Sequence, residues 1–165
     1  MRKERERRTL ETAGMLFTLL FGNLLHFVYD WTGQAGWAAY LSAVNESTWE
    51  HMKLLAVPWL VWTVVTIAAN RCAASALPRA IGLLAGLTAI PALFYTYTGI
   101  CGRHWLWADI LTFVLGAAVT AYYTWKYARR GRGSSVFGAV VLAVITVCFG
   151  VFSLFPPAVG IFAIP

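Results

Sequence analysis

The chain has 165 residues, of which 59% are hydrophobic and only 12% charged, with a formal net charge of +6. A soluble domain usually carries about twice that charged fraction, so the composition excludes an ordinary water-soluble globule. It points to one polytopic membrane domain, 1–165, with no room for a second.

The positive charge is not a nucleic-acid signature, because eleven of the thirteen basic residues lie in three patches that border apolar runs. The first patch is Arg2, Lys3, Arg5, Arg7 and Arg8. It precedes an apolar run at about 12–31, and about 20 helical residues cross a bilayer core. This run is longer than a signal-peptide core and lacks a small-x-small cleavage site after it, so a retained span is expected. Within it, Asn23, His26 and Asp30 share one helical stripe, expected to face the bundle either as packing glue or as part of a site.

The segment from Gly36 to Ala43 is apolar and aromatic but too short to cross. It reads as an interfacial or re-entrant piece between the first two spans. Next comes the densest run of functional groups, Val44 to Lys53. Ser47-x-x-Glu50 matches a capping box, which accounts for Ser47 and Glu50 but not for Glu46, His51 or Lys53. Asn45-Glu46-Ser47 also fits a glycosylation sequon, a three-residue match that carries little weight.

Later spans are expected at about 51–69, 80–99, 105–126 and 135–155. Pro58 and Pro91 fall inside two of them, where local kinks are expected. The connection 70–79 carries Arg71 and Arg79, and the third basic patch is Lys126, Arg129, Arg130 and Arg132. These patches put the amino terminus and both connections in the cytoplasm by the positive-inside rule, leaving the carboxyl terminus outside. Trp31, Trp37, Trp49, Trp105 and Trp107 would then gather at the outer boundary, where amphipathic rings prefer to sit. In that frame Cys72, Cys101 and Cys148 lie at different levels, so no disulfide framework is expected.

The same frame brings every histidine to the outer level. His26 and Asp30 end the first span, Glu46, Glu50 and His51 open the second, and His104 and Asp109 open the fourth. Ionisable groups are costly there, so these seven are the candidate catalytic residues. Imidazole and carboxylate together suit a divalent metal such as zinc, with His26, His51, His104, Asp30 and Glu46 as candidate ligands. No HExxH or HxxxH pairing is present. Without metal, the same groups offer general acid–base catalysis or a proton relay. Asn23, Lys53, Tyr95, Tyr97 and Arg103 are candidate substrate-binding residues at the same level. Gly-rich phosphate loops, GxSxG elbows and dinucleotide fingerprints are absent.

Two stretches, Leu25-His26-Phe27-Val28-Tyr29-Asp30-Trp31-Thr32-Gly33 and Val44-Asn45-Glu46-Ser47-Thr48-Trp49-Glu50-His51-Met52-Lys53, resemble an uncharacterised family of small bacterial integral-membrane proteins, a domain of unknown function. The resemblance covers most of the chain and implies a multi-pass protein of the bacterial cytoplasmic membrane. It implies no activity, substrate or catalytic residue.

The expected architecture is thus an all-α bundle of five transmembrane helices. Three functions stay open. One is a metal-assisted hydrolase or transferase with an outward-facing site for a lipid-like or amphipathic substrate. The second is a binding or transport protein for a small cationic or polar solute, although the inner halves of the spans offer mainly Thr, Asn70, Ser134 and Ser135. The third is an accessory or sensor subunit. The lipid bilayer is the expected partner, with a homo-oligomer or a membrane partner subunit beside it.

Overall fold

The computed structural model describes residues 2–69, 75–128 and 135–163. Asn70, Arg71, Cys72, Arg129, Arg130, Arg132 and Ser134 lie outside the described residues. The elements are α1 (Arg2–Trp31), α2 (Ala38–Leu41), α3 (Thr48–Ala68), α4 (Ala76–Cys101), α5 (Leu106–Ala128), α6 (Ser135–Leu154) and a closing 3-10 turn, Gly160–Phe162. No strand occurs among the described residues. Among the described residues, five helices, all but α2, are long and apolar enough to cross a membrane.

Local chemistry sets the helix ends. The apolar run of α1 continues backwards through its basic turns, where Arg2–Glu6 and Arg8–Glu4 pair one helical turn apart. α3 starts where the Ser47 hydroxyl accepts the amide of Glu50. The capping box is only half formed. Asn45, not Glu50, accepts the Ser47 amide, and the Glu50 carboxylate takes the amide of Val44 instead. Gly102 ends α4 at φ +69°, a left-handed C-cap that glycine adopts without steric cost. α3 and α4 both run through their prolines, Pro58 and Pro91.

Helices α1, α3, α4 and α5 close a ring: α1 packs on α3 and α5, and α4 packs on the same two. α6 lies outside the ring against α4, and α2 touches α1, α3 and α6. Small residues allow the close crossings. A Cβ at Gly86 of α4 would sit 2.7 Å from the Gly116 carbonyl oxygen of α5, and one at Gly82 would sit 2.6 Å from that of Thr120. Glycine lets backbones approach and gain dispersion contacts where lipid removes the usual hydrophobic drive. Gly14, Thr18 and Gly22 give α1 a similar narrow face. Leu55, Trp59, Leu83, Ala117 and Leu142 fill the centre. Outward, α1 shows Leu16, Leu20 and Leu24, and α6 shows Val136, Phe137, Val140, Val144 and Val147. Large apolar surface of this extent suits contact with lipid.

Among the described residues, two ion pairs are buried inside this envelope. Lys53 Nζ lies 2.6 Å from Glu50, with both side chains almost fully covered. Arg79 Nη2 lies 3.0 Å from Glu11, and both are again buried. The sequence placed Arg79 in a cytoplasmic connection. It lies instead in the first turn of α4, drawn inward by the carboxylate of Glu11 on α1.

Candidate functional site

At the end of the ring that carries the α1–α3 connection, a cavity of about 320 Å³ is lined by His26, Glu46, His51, His104 and Asp109. Ile90, Phe94, Leu106 and Phe113 supply its apolar walls. Five polar candidates from α1, α3, α5 and the loops before them thus share one space with a hydrophobic lining. Each arrives for a local reason.

His26 follows Gly22 by one turn, about 40° round the helix, so it stays beside the packed face of α1. Asn23 and Asp30 lie about 80–100° from Gly22 on the same count, and both are exposed. The expected stripe is therefore split, and only His26 reaches the cavity. Asn23 donates its amide to the Leu19 carbonyl at 2.6 Å.

Glu46 precedes the cap of α3, and His51 sits in the first turn of that helix. The Glu46 carboxylate stands between the two imidazoles, 3.8 Å from His26 Nε2 and 3.4 Å from His51 Nε2. One ligand atom from each of His26, Glu46 and His51 falls within 4.8 Å of the others. The Nδ1 of His51 is 3.0 Å from the Ser47 carbonyl. A carbonyl only accepts, so Nδ1 is the donor in this contact, and Nε2 is turned toward Glu46. A metal-binding histidine is commonly oriented in this way. Two imidazoles and one carboxylate make a three-ligand set that leaves a position for water or substrate on zinc.

On the α5 side, His104 Nδ1 lies 3.1 Å from one oxygen of Asp109. Tyr97 donates its hydroxyl to the other oxygen, and the Trp105 amide donates to the Tyr97 hydroxyl at 3.4 Å. Asp109 therefore holds His104 by Nδ1 and leaves Nε2 for proton transfer. His104 is not part of the compact three-residue group, and neither is Asp30.

The remaining candidates have other surroundings. Glu50 and Lys53 do not line the cavity; they form a buried clamp behind it. The Ser153 hydroxyl donates to Glu50 at 2.6 Å, and Lys53 donates to the Ala39 carbonyl at 2.7 Å. Through Val44 and Ala39 this clamp holds the loop that presents Glu46. Tyr95 accepts a hydrogen bond from Thr48, a cavity residue, and donates one to the Gly160 carbonyl. Arg103 stacks its guanidinium 5.0 Å above the Trp105 ring. Sequence reasoning missed Thr48 and the apolar walls, which carry no signal in a chain this hydrophobic.

Comparison with known proteins adds no activity. The sequence model of one family, described as a family of unknown function (DUF6512), matches residues 2–164. No curated protein and no solved structure matches.

Proposed function

The chain belongs to that family of unknown function, and we propose that it is a membrane-embedded zinc protein that hydrolyses an amphipathic substrate. The observation that carries this reading is the convergence of His26, Glu46 and His51 from α1, a loop and α3, with the Ser47 carbonyl holding Nδ1 of His51 so that Nε2 faces Glu46. In it, these three residues would hold the metal, which would supply Lewis-acid activation of water and of the scissile carbonyl or phosphoryl group. His104, oriented by Asp109, accepts a proton from water and returns it to the leaving oxygen. Ile90, Phe94, Leu106 and Phe113 hold the apolar part of the substrate. The basic first turns of α1 favour the bacterial cytoplasm for that end, with the cavity on the outer side of the cytoplasmic membrane.

Elemental analysis of purified protein tests the metal. About one zinc per chain is expected, lost together in His26→Ala and His51→Ala. Protein that stays metal-free after incubation with zinc, or variants that keep a full complement, would overturn the assignment.

A further inference from the structure

We propose that the opposite, basic end of the bundle contains a second site, a socket for one oxygen of a phosphate group. It is independent of the metal reading and rests on other residues. Arg79 is only 1% exposed. Its Nη2 donates to Glu11, but its Nε and Nη1 are buried without a hydrogen-bond partner. Arg7, from the first turns of α1, gives Nη1 to the Ala128 carbonyl at 2.8 Å, and its Nε is likewise buried and unpartnered. These groups surround a cavity of about 10 Å³ that Ser75 and Thr124 also line.

That volume holds one water-sized atom. Three guanidinium nitrogens of the lining residues, Arg7 Nε and Arg79 Nε and Nη1, lack a partner, as do two oxygens, Glu11 Oε2 and Thr124 Oγ1. A water molecule offers two lone pairs and no charge, so it leaves a donor unmet. An anionic oxygen accepts more and balances two guanidinium groups that face a single carboxylate, Glu11. The start of α4 lines the same cavity. Ser75 occupies its N-cap position without making a capping bond, so the first-turn amides add an uncompensated positive end. Guanidinium suits phosphate because its planar fork matches the oxyanion. The remainder of the phosphate stays outside the socket, at the level where the basic turns of α1 leave the apolar run. Beside it, a groove of about 510 Å³ between α1 and α5 runs from Arg8 and Trp125 past Glu11 to Met15. Arg8 stacks 4.4 Å above the Trp125 ring at its rim. A phospholipid can thus lay a chain along the groove while its phosphate reaches Arg7 and Arg79. Free phosphate offers the same oxygen without the chain.

Thermal unfolding in neutral detergent tests the socket, with phosphatidylglycerol or inorganic phosphate added to the intact protein. A saturating ligand should raise the midpoint by about 5 °C or more. The shift should vanish in Arg7→Gln, which spares the buried Arg79–Glu11 pair and so the fold. It should persist in Arg5→Gln, which removes the same charge from an exposed position. A shift with the lipid alone identifies a headgroup as the source, and a shift with phosphate identifies the free anion. Either result supports the socket. No shift with either ligand, or an equal shift in wild type and Arg7→Gln, would overturn it and leave ordinary water in the cavity.

Discussion

His51 directs its Nδ1 to the carbonyl of Ser47 at 3.0 Å, and the hydroxyl of the same serine caps the helix on which His51 stands. Helix start, imidazole orientation and placement of Glu46 are therefore one local structure. A change at the cap reaches both histidine and carboxylate. The predictions below follow from this coupling and from the packing around it.

Replacing Glu46 with Gln removes the only anionic member of the three-residue group while keeping its size. Zinc affinity should fall by about tenfold or more, in a site where outer partners alone are typically worth 10–100-fold. Titration calorimetry against a competing chelator reads this directly. Unchanged affinity would remove Glu46 from the ligand set.

Asp109→Asn should separate metal binding from turnover. The variant keeps its zinc, because Asp109 orients His104 and stands outside the metal group. Its hydrolysis of a p-nitrophenyl acyl ester should drop by about 10²-fold or more, the scale of general acid–base catalysis. Equal loss of zinc and rate would make Asp109 a ligand or a structural residue instead.

Glu50→Ala leaves the ammonium of Lys53 buried without its carboxylate. Destabilisation of about 3–5 kcal/mol is expected, since removing one member of a buried pair exposes the full desolvation cost of the other. The double variant Glu50→Gln with Lys53→Met should recover a large part of it. Unfolding by chemical denaturant in mixed micelles measures the cycle, and a double variant as unstable as Glu50→Ala would refute the account.

Gly86→Ala places a methyl group against the Gly116 carbonyl, 2.7 Å away, and against the side chain of Thr120. Backbone cannot yield as a flexible side chain does, so a loss of about 1–3 kcal/mol follows from overpacking. Gly99, with nothing near its Cβ position, is the matched control and should tolerate alanine far better.

Much of this architecture is legible in the sequence, for physical reasons that differ by residue. The five spans follow from apolar length, and the shared level of His26, His51 and His104 at one end of the bundle follows from where those spans end. The convergence of Glu46 with two histidines is a tertiary fact, and local spacing only hinted at it. Asn23 and Asp30 looked equivalent to His26 because a stripe about 60° wide reads as one face, yet the packed edge of α1 passes between them. The burial of Glu50 and Lys53 beside Ser153 and Ala39 is a tertiary arrangement that local spacing does not reveal. Arg79 read as a topology signal, and its partner Glu11 lies 68 residues away. A carboxylate at the edge of an apolar run, in step with Gly14, Thr18 and Gly22, was the one available clue.

The hydroxyl of Tyr95 joins Thr48 in the cavity wall to the carbonyl of Gly160, and Phe162 rests 4.9 Å from Trp49. The segment that follows α6 is consequently a remote handle on the cavity. Changes there should reach the chamber wall through the Tyr95 phenol and Thr48, leaving every histidine and acid chemically intact.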